Sequence, residues 1–190
     1  MRELLLMFDL SLNIKIITNQ QLMKSTFKIC AMVVAFTATT LGFAQEKKAS
    51  PAETATGKIN GASITINYGS PSVKGRPIWG ELVPFDKVWR AGANEATTFE
   101  TDKELTVEGQ KLPAGKYSFF LIPNKSEVIV IFNKEFRQWG SYDYDQKKDQ
   151  LRVKLKPQAA TESIEKLVYT INKDNVTLSW EKWNIPLKIK

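Results

Sequence analysis

Polar and apolar positions alternate along much of the chain beyond residue 60. Ile64, Ile66 and Tyr68 alternate with Ser63, Thr65 and Asn67, and a period of two marks a strand with one buried face. Gly69-Ser70-Pro71 interrupts the pattern, as glycine and proline do at turns. Residues 96–101 (ATTFET) are β-rich, and Leu105 and Val107 lead into Glu108-Gly109, a hairpin signal. After a turn at 112–115 (LPAG), residues 116–122 (KYSFFLI) and 127–132 (EVIVIF) are apolar at consecutive positions. Such runs suit central strands covered on both faces, and 123–126 (PNKS) joins them as a turn. Residues 151–156 return to one-sided alternation, and 163–171, 176–180 and 185–189 complete the series, with a turn at 173–175. Pro186 lies inside the last run, which points to an edge strand.

About eight or nine short strands at intervals of about 8–12 residues predict an all-β fold, a single antiparallel β-sandwich. A partly open barrel fits the same pattern. No segment carries a helical period and no repeat is present. Two stretches fit no period: 75–97 (GRPIWGELVPFDKVWRAGANEAT) and 133–149 (NKEFRQWGSYDYDQKKD). Residues 45–57 (QEKKASPAETATG) are small, polar and charged and read as a disordered leader, so the folded domain is expected over 58–190.

The N-terminal portion has a different character. Lys24 and Lys28 precede an apolar core at 29–36, and Gly42 and Ala44 place small residues before Gln45. This is the layout of a secretory signal peptide over 23–44. The apolar core is too short for the roughly 20 residues of a membrane-spanning helix, so no transmembrane anchor is expected after cleavage. Met23 then becomes the natural start, and residues 1–22 an upstream extension outside the fold. The expected location is periplasmic or secreted.

Cleavage before Gln45 leaves residues 45–190, a length suited to one domain with a sizeable core. Cys30 is the chain's only cysteine and would leave with the signal, and there is no histidine. These absences exclude a Ser-His-Asp triad, a Cys-His dyad and a Cys/His zinc site. Acid–base work would fall to carboxylates, lysine or tyrosine. The exported chain carries a net charge of +5 against +7 for the whole, with its lysines scattered along strand faces. Nucleic-acid binding would require a clustered basic stripe and is not expected. Nothing in the sequence calls for a cofactor or a metal.

Residues 75–97 concentrate the chemistry. Of four arginines beyond residue 44, two lie here, Arg76 and Arg90, beside Trp79 and Trp89. Arginine suits a planar grip on a carboxylate or stacking on an aromatic face. Two readings stand side by side. In one, Arg90 pairs with Glu95 or Glu81 and the tryptophans plug the end of the sandwich. In the other, Trp79 and Trp89 offer ring faces while Arg76, Arg90, Asn94 and Glu95 bond the polar groups of a small molecule or glycan. Asn94 suits a left-handed turn. Glu95 enters an apolar run and needs a partner, for which Arg76 or Arg90 is the expected choice. In the second irregular stretch, Asp143, Asp145 and Asp149 match no calcium loop and read as a solvated turn. Glu95 with Asp143 or Asp145 would supply the carboxylate pair of a glycosidase-like hydrolase, but nothing in the sequence sets their separation. Trp180 continues the Val176 and Leu178 face and is expected in the core.

The run KGRPIWG at 74–80, LVP at 82–84, VWRAGANEAT at 88–97 and LPAGKYS at 112–118 resembles the signature of an uncharacterised family of exported bacterial proteins, a domain-of-unknown-function family. The resemblance spans about residues 60–190. It implies export and a single β-rich domain and carries no activity. The function expected from the residues is a non-catalytic binding module. A carboxylate-based hydrolase and a structural envelope-interaction domain are the alternatives.

Overall fold

A computed structural model describes residues 50–190. The expected extension at 1–22, the signal peptide at 23–44 and the first part of the leader lie outside the described residues. The domain is all-β. Its main sheet is antiparallel, in the order β1 (Ala52–Ile59), β2 (Ala62–Gly69), β3 (Thr98–Thr101), β6 (Gly115–Pro123), β7 (Val128–Asn133) and β8 (Asp149–Leu155). The hairpin β4 (Leu105–Val107) with β5 (Gln110–Leu112) and the pair β9 (Gln158–Ile171) with β10 (Asn175–Lys188) make two further small sheets, and none closes into a barrel.

The period of two explains the inner face of the main sheet. Ala62, Ile64, Ile66 and Tyr68 are buried while the residues between them are partly exposed. Phe99, Phe119, Phe132 and Tyr117 extend this core, with ring centroids 5.1 Å apart for Phe99–Phe132 and 5.3 Å for Phe119–Phe132, both edge to face. Burial of each such side chain contributes about 1.5–3 kcal/mol. The two doubly apolar runs are β6 and β7, as expected. Their other face packs a smaller core of Ala96, Phe120 and Ile131, covered by Val88 and by Tyr144 from the second irregular stretch.

β10 is a single strand by continuity only. Ile189 donates to the carbonyl of Asp174 at 2.8 Å, and the Ser179 hydroxyl bonds Asn184 at 2.6 Å. A fully extended 14-residue strand would hold its ends about 45 Å apart, so β10 must fold back on itself. Glu181, with φ 51°, sits at the bend. The two halves match the separate runs 176–180 and 185–189 read from the sequence. β9 pairs with Asn184 and Trp183 at its start and with Val176 at its end, with register shifts on either side of Glu181. It therefore hooks around the tip of the folded β10. The other end of β10 joins β4, where Thr106 and Lys190 exchange two backbone hydrogen bonds of 2.8 Å. Pro186 falls between these two pairings.

The leader is shorter than expected. Residues 52–57 belong to β1, which pairs with β2 from Ala52↔Gly69 to Ile59↔Ala62. The sequence AETATGK gives no apolar alternation because this strand is largely exposed. Its signal lies in the turn instead. Asn60 and Gly61 both have positive φ, 49° and 77°, the requirement of a two-residue hairpin turn.

Chain direction at the end of β2 prepares the site. Ser70 donates to Pro51 O, and then Leu167 donates to Pro71 O and Val73 to Glu165 O. The segment thus leaves the main sheet and runs along β9. Gly69 marks the crossing, since a Cβ there would stand 2.2 Å from Ala93 O. Gly69→Ala is expected to destabilise the domain by about 1–3 kcal/mol, the usual range for overpacking. An unchanged denaturant midpoint would contradict this close approach.

Two exposed carboxylates tie turns down. Asp102 accepts from the Ser63 amide at 2.7 Å, which holds its carboxyl below the usual range. Glu135 is lowered by its bond to Lys148, 3.2 Å away, and by the Arg137 amide. A depressed folded-state pKa contributes stability above the unfolded value and loses it as pH falls through the folded value. Melting temperature is therefore expected to fall below about pH 4, the ordinary carboxylate range. Asp102→Asn should flatten part of that decline, and an identical acid profile would remove Asp102 from the account.

Candidate functional site

Residues 75–97 close one margin between the β-layers and are held from both sides. Trp89 exchanges two backbone bonds with Leu121 of β6, 2.7 and 2.9 Å, and Asp86 donates to Pro123 O. On the other side Ala93 donates to Gly69 O. The turn at Ala91 is left-handed, φ 52°, and fully buried, a conformation that costs about 1–2 kcal/mol for a residue with a Cβ. Two hydroxyls fix it. Ala91 O accepts from Tyr169 at 2.8 Å and from Thr97 at 3.1 Å. Burial raises the Tyr169 phenol well above its ordinary pKa, so it stays a donor across the accessible pH range. Tyr169→Phe should cost about 1–2 kcal/mol, the worth of one buried hydrogen bond. Equal thermal stability of the two proteins would refute its role in fixing the turn.

The six expected site residues divide among three hollows. Arg76, Trp89, Arg90 and Asn94 line one of about 290 Å³, together with Trp180. Among the described residues, this hollow is lined by two arginines and no carboxylate. Asn94 and Glu95 line a second, of about 350 Å³, on which Glu53, Lys116 and Arg137 also border. Trp79 lines a third, of about 400 Å³, with Phe85 and Trp183.

Among the described residues, neither Arg76 nor Arg90 forms the expected ion pair with Glu95. Arg76 turns back on its own loop, donating from Nε to Val73 O at 3.0 Å and from a terminal nitrogen to Ser72 O. Arg90 Nε is buried and meets no acceptor among the described residues, and no ion pair joins Arg90 to Glu81 or Glu95 there. Glu95 lies on the surface, and its backbone forms an isolated antiparallel bridge with Trp139. Asn94 takes the left-handed conformation anticipated for it, φ 66°, and its amide donates to Ser50 O at 3.1 Å.

The tryptophans form one continuous cluster. Trp79 stacks on Trp183 at 4.3 Å and 13° and meets Trp89 edge to face at 5.7 Å; Trp89 lies parallel to Trp180 at 5.8 Å and 16°. Trp180 is core, as read from the sequence, at 1% exposure. Trp79 and Trp89 are half-buried. Trp79 and Trp89 thus pack part of each ring against the core, while Trp89 and Trp180 also contribute to the wall of the arginine-lined hollow. Trp180 and Trp183 as site neighbours escaped sequence reasoning. They are about 90 residues away in the chain, and only the fold of β10 brings them close. The Nε1 atoms of Trp79 and Trp180 are buried and, like Arg90 Nε, lack an acceptor among the described residues.

Asp145 and Asp149 serve the fold. Asp145 caps the short 3-10 turn Gln146–Lys148 by accepting from the Lys147 amide, and Asp149 accepts from Tyr144 at 2.7 Å and from Asn133 at 2.8 Å. Neither Asp143 nor Asp145 borders the hollow that Glu95 lines.

An all-β domain with a loop-built, arginine-bearing hollow at the margin of its sheets is the class these features define. The chain belongs to the family described as protein of unknown function (DUF2911), whose model matches residues 50–189. No curated protein and no solved structure matches it. Among the described residues, no helix is long and apolar enough to cross a membrane.

Proposed function

We propose that this chain is an exported, non-catalytic binding protein whose 290 Å³ hollow takes the anionic group of a small molecule, a carboxylate first of all. One observation carries the reading. Among the described residues, Arg76 and Arg90 line a hollow free of carboxylates, and two buried N–H groups of its wall residues, Arg90 Nε and Trp180 Nε1, have no acceptor. Most buried donors in folded proteins are satisfied, and an anion is the partner that would satisfy these. Trp89 supplies a flat apolar wall for the rest of the ligand. Export rests on the basic, apolar and small-residue layout of 23–44. The reading places the protein in the periplasm or outside the cell.

Titration with acetate, succinate, citrate and inorganic phosphate, followed by intrinsic fluorescence and calorimetry, tests the proposal. At least one probe should give a saturable signal that weakens as salt rises. Absence of binding by every probe at low salt would defeat it. The hydrolase alternative gains no support, since the sequence-derived carboxylate pair borders no common hollow.

A further inference from the structure

The second hollow has its own unmet chemistry. Two of its lining residues carry buried polar atoms without a partner among the described residues, Gln138 Oε1 and Thr98 Oγ1. Gln138 is not misplaced by accident. Its amide nitrogen donates to Glu135 O at 2.6 Å and reaches Ser118 Oγ at 3.4 Å. That fixes the side chain and leaves the carbonyl oxygen as an acceptor calling for a donor. Thr98 stands opposite Ser118 in the β3–β6 ladder, so both groups belong to one corner of the site. They rest on strand and strand-flanking backbone.

The lining charges select the ligand class. Its border carries both signs, the carboxylates Glu53 and Glu95 and the cations Lys116 and Arg137. Lys116 is already engaged by Glu100 at 3.2 Å, and both it and Arg137 lie over the Phe136 ring, at 5.9 and 5.5 Å from its centroid. A ligand anion would meet the two carboxylates and the Gln138 carbonyl. A ligand cation would meet the lysine and arginine. A neutral hydroxyl group suits both unmet atoms, because it donates to Gln138 Oε1 and can accept from or donate to Thr98. The volume of about 350 Å³ lies within the roughly 300–1,000 Å³ of small-molecule sites.

We infer that this hollow is a second binding site, for a neutral polyhydroxylated ring such as a hexose or N-acetylhexosamine unit, held by Gln138 Oε1 and Thr98 Oγ1. It is distinct from the arginine-lined hollow and rests on different atoms. Asn94 forms part of both walls.

Saturation-transfer NMR on the full folded domain with glucose, galactose, N-acetylglucosamine and cellobiose provides the test, beside glucuronate and glucosamine as charged comparators. At least one neutral saccharide should show transfer, exceeding that of both charged sugars. Thr98→Val removes the hydroxyl without changing shape. It should leave the melting temperature unchanged or higher, since the hydroxyl has no partner among the described residues, and weaken saccharide binding at least fivefold. Carboxylate binding measured on the same Thr98→Val protein reports on the other hollow separately. If no neutral saccharide binds, if the charged sugars bind better, or if Thr98→Val binds as the wild type does, the inference is overturned. A lower melting temperature for Thr98→Val also overturns it, by showing that the hydroxyl already has a structural role.

Discussion

Trp180→Ala should lower the stability of the domain by about 3–5 kcal/mol, the range for removing a large aromatic side chain from a core. Trp180 is 1% exposed and lies within about 6 Å of two other indoles. Its neighbours come from the 75–97 loop, which is pinned to β6 and β2 by backbone bonds and so cannot collapse into the gap. For a domain of this size the loss corresponds to a melting temperature lower by roughly 10–15 °C. Trp180→Phe should recover most of it. The smaller ring leaves some void, but it also removes an indole N–H that has no acceptor, and an unmet buried donor is itself unfavourable by about 1–3 kcal/mol. Chemical denaturation of the three proteins checks the series. A loss under about 1 kcal/mol for the alanine variant would mean that the tryptophan cluster is not a packed unit.

Arg90→Met is the variant that separates a site from a plug. If the guanidinium were a structural clamp, its removal would break bonds and lower stability. The structure shows no bond at Nε to break, and no ion pair to either glutamate once expected to hold it. Methionine keeps the flexible aliphatic packing and removes a buried, unmatched donor. Stability should therefore stay level or rise by about 1–2 kcal/mol. Carboxylate affinity should fall about a hundredfold, as expected when one partner of a desolvated charge pair is truncated. A melting temperature lower by several degrees would return Arg90 to the fold and leave the hollow without its anion-binding rationale.

These two variants mark the boundary of what the sequence disclosed. Strand positions were legible wherever one face was apolar, as in β2, or both were, as in β6 and β7. β1 was not, because an exposed edge strand of Ala, Thr, Glu and Lys carries no hydrophobic period. Its existence follows from pairing with β2, which is a long-range property. The loop was recognisable by its arginines, tryptophans and glycines, and Asn94 and Trp180 take the conformations their residue types favour. Partner choice was not recognisable. Glu95 and Arg90 are five residues apart, yet the left-handed turns at Ala91 and Asn94 send their side chains to different hollows. Sequence proximity says little where the backbone reverses twice in four residues.

The folded-back β10 bears on how far damage spreads through this domain. Residues 175–190 bond to β9 on one side and to β4 on the other, and they supply Trp180, Ile185 and Leu187 to the interior. Contacts so distant along the chain assemble slowly. A lesion in this one hairpin would therefore be felt at once by the strand before it, by the β4 hairpin and by the tryptophan-bearing loop, three parts that share no neighbouring sequence.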